Sequence, residues 1–148
     1  MRLCIQRVLR ASVSVDGACI GSIDRGLLVF VGVGVNDTSE DVTHLANKVL
    51  KLRVFEDDQG HANDSLAEIS GRILVVSQFT LYGHCRKGNR PSFTAAARPE
   101  MGKRLYLQFL EALRALGADP ESGRFGAEMQ VELLNDGPMT LWLESEGR

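Results

Sequence analysis

Two short runs hold the residues of this chain best suited to chemistry. Ser77-Gln78-Phe79-Thr80 ends the apolar run Ile73-Leu74-Val75-Val76, which reads as a buried strand. A strand end of this kind carries hydroxyl and amide groups on a rigid support. Gly137-Pro138-Met139-Thr140 lies between residues 130–133 and 141–143, where the pattern predicts that the chain turns. A Gly-Pro pair lets bare main chain approach a ligand, because Gly has no side chain and Pro fixes φ. Each run alone also fits a plainer description, a polar strand end and an ordinary turn.

Familiar catalytic constellations do not account for these runs. A serine hydrolase needs a nucleophile held by a base and an orienting group, and there is no G-x-S-x-G. His44, His61 and His84 read as helix-surface, turn and loop residues. His84-Cys85 is adjacent rather than spaced for chelation, and Cys4 and Cys19 cannot be placed beside it, so no zinc site emerges. Gly32-Val33-Gly34 follows a strand but lacks the third Gly of a dinucleotide fingerprint. Thr80 is the natural side-chain nucleophile, yet no base stands near it in the sequence. A hydroxyl that shapes the pocket or bonds the main chain is the weightier reading.

The elements that must position these residues follow from hydrophobic periodicity. Residues 3–15 alternate as one or two strands, and Asp16-Gly17 is a hairpin signal before a strand over 18–23. Leu27-Leu28-Val29-Phe30-Val31 reads as a strand covered on both faces. Residues 37–40 offer N-caps to a helix ending near Leu52, with Val42, Leu45, Ala46 and Val49 on its buried face. Residues 53–55 make a short strand closed by a turn over 57–60, and residues 83–92 are loop. Pro99 opens a second helix that buries Leu105, Phe109, Leu113 and Leu116 and stops at Gly117. Met129, Val131 and Leu133 alternate with polar residues as a half-buried strand. The sum is one α+β domain over residues 1–148, a curved or barrel-like β-sheet with two main helices.

Composition bounds the rest. The 148 residues suit one domain, and 44% hydrophobic with 24% charged residues is ordinary for a globular protein. A net charge of −2 excludes a globally basic nucleic-acid coat, so any RNA contact must be a local patch. Arg86, Lys87 and Arg90, followed by Arg98, Lys103 and Arg104, form such a patch, suited to phosphate contact or simply to a solvated loop. No apolar run reaches the ~20 residues of a membrane helix. The N-terminus becomes polar too early for a signal peptide, and three scattered cysteines fit reduced thiols. The expected location is the cytoplasm.

Taken together, the two runs resemble the signature motifs of the D-aminoacyl-tRNA deacylase family. The resemblance extends through Ile5-Gln6-Arg7-Val8, Leu52-Arg53-Val54-Phe55-Glu56-Asp57, Gly88-Asn89-Arg90-Pro91-Ser92-Phe93, residues 123–129 and Asn135-Asp136-Gly137-Pro138, essentially the whole chain. It implies hydrolysis of the ester of D-aminoacyl-tRNA, and of mischarged glycyl-tRNA(Ala), with L-aminoacyl-tRNA spared. It implies that Ser77, Gln78, Phe79 and Thr80 form the catalytic segment and that main-chain N–H groups there bind the carbonyl oxygen. The vicinal 2′-hydroxyl of the terminal adenosine would assist, with no metal or cofactor. Gly137, Pro138, Met139 and Thr140 would select chirality through a cis Gly-Pro bond reaching into the partner subunit of a homodimer, braced by Arg7. Arg86, Lys87 and Arg90 would touch the acceptor end of tRNA. Two departures stand out: Met139 replaces the family's usual Val, and Gly83-His84 replaces a small residue plus Asp. Other readings of the same residues are a non-catalytic RNA-end binding module and a small-molecule esterase using Thr80.

Overall fold

The computed structural model describes residues 1–86 and 88–145. Its longest ladder is built on β1 (Arg2–Val15), which pairs with β8 (Gln130–Glu144) along one edge. On its other edge, residues 2–8 pair with β3 (Gly26–Gly32) and residues 11–15 pair with β2 (Ala18–Ile23). One strand serving two neighbours must bend between those halves. The Asp16-Gly17 hairpin that returns the chain places both residues at positive φ, which the turn requires.

β6 (Arg72–Ser77) lies parallel to β3, and β7 (Glu121–Ser122) lies parallel to β6. At the start of the β3–β6 pair a Cβ on Gly26 would fall 1.8 Å from the Arg72 carbonyl oxygen, so only glycine fits there. β2 curls back until Gly21 comes within reach of β7, where an added Cβ would lie 3.2 Å from the Ser122 carbonyl oxygen. The mixed sheet is therefore nearly closed. A small hairpin of β4 (Phe55–Glu56) and β5 (Ala62–Asp64) stands apart from it.

Alternation along the strands creates two cores. One face of the sheet (Leu3, Ile5, Leu27, Val29, Ile73, Val75) packs under α1 (Ser39–Leu50) and α2 (Pro99–Ala115). The opposite face (Val8, Leu28, Leu74, Val76) fills the inside of the curl with Ala11, Val13 and Ile23. Thr38 starts α1 and donates its N–H to Asp41 at 2.7 Å, and α1 buries Val42, Leu45, Ala46 and Val49. α2 opens on Pro99 and buries Leu105, Phe109 and Leu113. Leu116 departs from the expected pattern and is 45% exposed. The helix ends at Ala115, and Gly117 at φ 89° turns the chain away, so Leu116 lies beyond the sheet that the helix covers.

Candidate active site

β6 and Ser77 stop together. The Gln78 N–H makes a last ladder bond to the Val31 carbonyl at 2.7 Å, and Phe79–Tyr82 then wind into a 3-10 turn. The signature run is thus not a strand throughout, as the apolar run before it suggests, but a strand end followed by a tight turn. The difference matters chemically. In such a turn the first internal bond is Leu81 N–H to Gln78 O, here 3.3 Å, which leaves the Phe79 and Thr80 N–H groups without a carbonyl of their own turn. Two donors therefore sit side by side at the turn's start.

The Gln78 side-chain amide donates to the Thr80 hydroxyl oxygen. That contact draws on the lone pairs a nucleophile would need. His44, His61 and His84 are all exposed, on α1, in the β4–β5 turn and in the loop after the 3-10 turn. The cysteines are free thiols. Among the described residues no group of three or more His, Cys, Asp or Glu is arranged to hold a metal ion.

Beside Ser77, Gln78 and Phe79 opens a cavity of about 610 Å³. Phe93, Phe125 and Met129 line its walls, and Tyr106 with Gly102 form part of its α2 side. Phe93 meets Phe79 edge-on at 5.2 Å between ring centres, and an added Cβ on Gly102 would reach the Phe125 ring at 3.4 Å. Tyr106 donates to the Val75 carbonyl at 3.0 Å, tying α2 to β6 just before the signature run. Burial pushes its phenol up to about 12, so it remains a neutral donor. Phe93, Phe125 and Tyr106 were not singled out as site residues from the sequence. Nothing in their spacing marks them, since the loop, a turn and a helix bring them together.

The loop carrying Arg86 and Arg90 is closed at its base by paired main-chain bonds between His84 and Ser92, at 2.8 and 3.1 Å. Both arginines are exposed, and Lys87 lies outside the described residues. Because the closure uses only main chain, His84 in place of an acidic residue leaves it intact.

Gly137-Pro138 does not turn the chain back. β8 runs on past it against the same strand, with Gln6 opposite Thr140 and Val8 opposite Asn135, so residues 136–139 bulge out across from Arg7 alone. The broken alternation that suggested a reversal is this bulge, and the Gly137–Pro138 bond in it is cis. Arg7, only 4% exposed, fills the space beneath. It donates to the carbonyls of Val54 (2.5 Å), Asp136 (3.2 Å) and Gly137 (3.3 Å) and pairs with the Asp136 carboxylate at 3.0 Å. A solvent-facing strand arginine is excluded. Met139 packs half-buried on the core at the end of the bulge, and Thr140 accepts from Gln6 at 3.4 Å. Val54, the third anchor of Arg7, was not expected from the sequence.

The two signature runs do not meet within one chain. Ser77 is level with Val31, Leu3 and Leu143, whereas the bulge is level with Leu27 and Ile73, four residues along and three strands away. At the usual rise and strand spacing that separates them by on the order of 15–20 Å.

The family model for D-Tyr-tRNA(Tyr) deacylase matches residues 4–144. The chain belongs to this family. It is 57% identical to a D-aminoacyl-tRNA deacylase of Thermotoga petrophila over 98% of this chain and 97% of that one. It is 51% identical to the D-aminoacyl-tRNA deacylase of Thermosipho africanus, covering 99% and 98%. Among solved structures, a c-Myc DNA unwinding element binding protein superposes with TM-score 0.91 at 44% identity, covering 97% and 98%. A probable eukaryotic D-amino acid tRNA deacylase superposes with TM-score 0.83 at 21% identity, over 96% and 97%, which shows the shared fold. Membership of the D-Tyr-tRNA(Tyr) deacylase family makes the chain a hydrolase of ester bonds.

Proposed function

We propose that this chain hydrolyses the ester of D-aminoacyl-tRNA in a site that two copies complete for each other. The supporting observation is the separation of its two signature runs: each is built, but they lie three strands and four residues apart within one chain. The partly exposed strip between them, with Trp142 exposed and Phe30 and Cys4 half-buried on neighbouring strands, suits a two-fold contact that would exchange the bulges.

In this reading the cavity holds the part of the substrate common to all tRNAs, the terminal base, against Phe79, Phe93 and Phe125. The ester carbonyl lies at the start of the 3-10 turn, where the Phe79 and Thr80 N–H groups bind the oxygen as it gains charge. Water adds to the carbonyl carbon, the C–O bond to the ribose breaks, and the departing ribose oxygen takes a proton. The vicinal 2′-hydroxyl assists, which suits a site whose one candidate nucleophile is hydrogen-bonded to Gln78.

Chirality selection falls to the partner's bulge. L and D substrates differ in which of H and side chain occupies one direction from Cα, so a single wall excludes all L residues without any pocket for D side chains. Main-chain oxygens cannot rotate aside, and Arg7 holds that of Gly137 in place. Glycine carries no side chain to exclude, so glycyl-tRNA(Ala) is also a substrate. Arg86, Lys87 and Arg90 contact acceptor-end phosphates. No helix among the described residues is long and apolar enough to cross a membrane, and the cytoplasm, where tRNA is charged, is the expected place of action.

The test is release of amino acid from D-, L- and glycyl-tRNA on one tRNA, with a 2′-deoxyadenosine end as a further substrate. Turnover of the D and glycyl esters, little of the L, and a sharp loss with the deoxy end are expected. Tight binding without release would instead mark an RNA-end binding module. Cleavage of simple activated esters at rates matching the tRNA ester would mark a small-molecule esterase.

A further inference from the structure

The 3-10 turn is held from behind by a buried polar cluster that the chemistry above does not use. Tyr82, its last residue, is 6% exposed, and its hydroxyl donates to Asp37 Oδ2 at 3.2 Å. The same oxygen accepts the Gly34 N–H at 2.6 Å, and the other carboxylate oxygen takes the α-ammonium of Met1. That ammonium also donates to Ser145 Oγ at 2.6 Å. Asp37 is itself 7% exposed, so these partners, rather than bulk water, satisfy its oxygens. On the other side of the Tyr82 ring the Arg2 guanidinium sits 4.3 Å from the ring centre and donates to the Leu81 carbonyl at 3.1 Å. The packing is close: a Cβ on Gly34 would fall 2.6 Å from the Tyr82 oxygen, and one on Gly32 would meet Leu81 at 3.0 Å.

We propose that Asp37 is a positioning residue for the catalytic turn, acting through Tyr82 to fix where the Phe79 and Thr80 N–H groups point. The inference rests on the reading of that turn as the site of ester hydrolysis. One end of the turn is clamped by a charge-assisted bond and a stacked guanidinium, and only the other end faces the cavity. Two N–H donors stabilise a developing oxyanion in proportion to how well they are aimed beforehand. A carboxylate bonded to strand, terminus and turn at once registers the turn against β3 rather than merely filling space.

Tyr82→Phe tests this, since it removes the hydroxyl contact and keeps the ring under Arg2; Asp37→Asn is the second variant. Hydrogen exchange of the bonded turn amides, Leu81 and Gly83, is expected to quicken about five- to tenfold in Tyr82→Phe, with β6 amides unchanged. With D-aminoacyl-tRNA, kcat should fall by a similar factor while KM changes less than twofold. Parental exchange in the turn in both variants would overturn the proposal. Faster exchange in the turn with parental kcat and KM would overturn it too, leaving Asp37 a stabilising residue only. If the parent protein releases no D-amino acid, the functional reading fails on its own account, and the exchange data still decide whether Asp37 fixes the turn.

Discussion

The 3-10 turn at Phe79–Tyr82 and the bulge at Gly137-Pro138 are both short departures from a strand, yet they are held in opposite ways. The turn is gripped within its own chain, by a ladder bond at Gln78, the Tyr82–Asp37 bond and Arg2 on the Leu81 carbonyl. The bulge is gripped from beneath, by Arg7, and both Gly137 and Pro138 are exposed above it. An added Cβ on Gly137 would meet nothing nearer than the Asn135 side-chain nitrogen at 3.7 Å, an ordinary contact. The Gly26 and Gly34 positions, by contrast, are glycine because their own chain leaves no room. Its surroundings do not crowd position 137, and the proposed exchange of bulges between two copies would account for a residue without a side chain there.

That contrast is broken most directly at Gly137. Gly137→Ala should leave the unfolding free energy in urea within about 0.5 kcal/mol of the parent, because the new methyl has space. Deacylation of every substrate, D and glycyl alike, should fall on the order of 100-fold, because in the proposed two-copy site the methyl would enter the pocket and displace the ester. Loss of stability in step with activity would locate the clash inside the chain and dissolve the distinction between the two regions.

Arg7→Ala attacks the bulge from below and should act on both counts. It strips donors from the Val54, Asp136 and Gly137 carbonyls and leaves the Asp136 carboxylate unpaired. A loss of about 2–4 kcal/mol in chemical denaturation is expected. Where the variant still folds, the D/L ratio of kcat/KM should drop roughly tenfold, since an unbraced wall yields to an L side chain. Arg7→Lys, with one compact ammonium for three separate carbonyls, should recover little of either. An unchanged ratio would place the wall elsewhere.

How far these features could be read in advance depended on the range of the interactions behind them. The long strands, both helices and the Asp16-Gly17 hairpin follow from periodicity and local turn chemistry, whereas the short strand expected over 53–55 lies at Phe55–Glu56, and β5 and β7, too short for any period, had no pattern to announce them. The bulge was mistaken for a reversal because a strand that loops out and resumes looks, over ten residues, like two strands and a turn. Only the pairing of both halves with β1 tells them apart. Thr80 was placed on a strand because nothing in Ser77-Gln78-Phe79-Thr80 announces that Val31 supplies the last ladder partner. The Asp37 cluster joins residues 1, 34, 82 and 145, and no local pattern links them. Of the cavity walls, Phe125 and Tyr106 were equally hidden: each looks like an ordinary apolar residue of its own segment.

The smallest effect is expected inside the better-held region, at the residue whose chemistry looks most inviting. Thr80 is exposed and its hydroxyl oxygen is engaged by the Gln78 amide. A side-chain nucleophile needs a base to take its proton, and among the described residues the hydrogen bond to the Thr80 hydroxyl comes from Gln78, not from a histidine. If the turn works through its N–H groups, Thr80→Ala keeps both donors at 79 and 80 and loses only a side-chain contact that steadies Gln78. Its kcat should then stay within about tenfold of the parent, with melting temperature little changed. Removing a true nucleophile would cost several orders of magnitude more. Thr80→Pro makes the sharper companion, since it deletes the N–H itself and should lower kcat well beyond the alanine variant. If alanine abolishes turnover while the fold and tRNA binding persist, the hydroxyl is the reacting group, and the turn's rigidity serves to aim a side chain rather than the main chain.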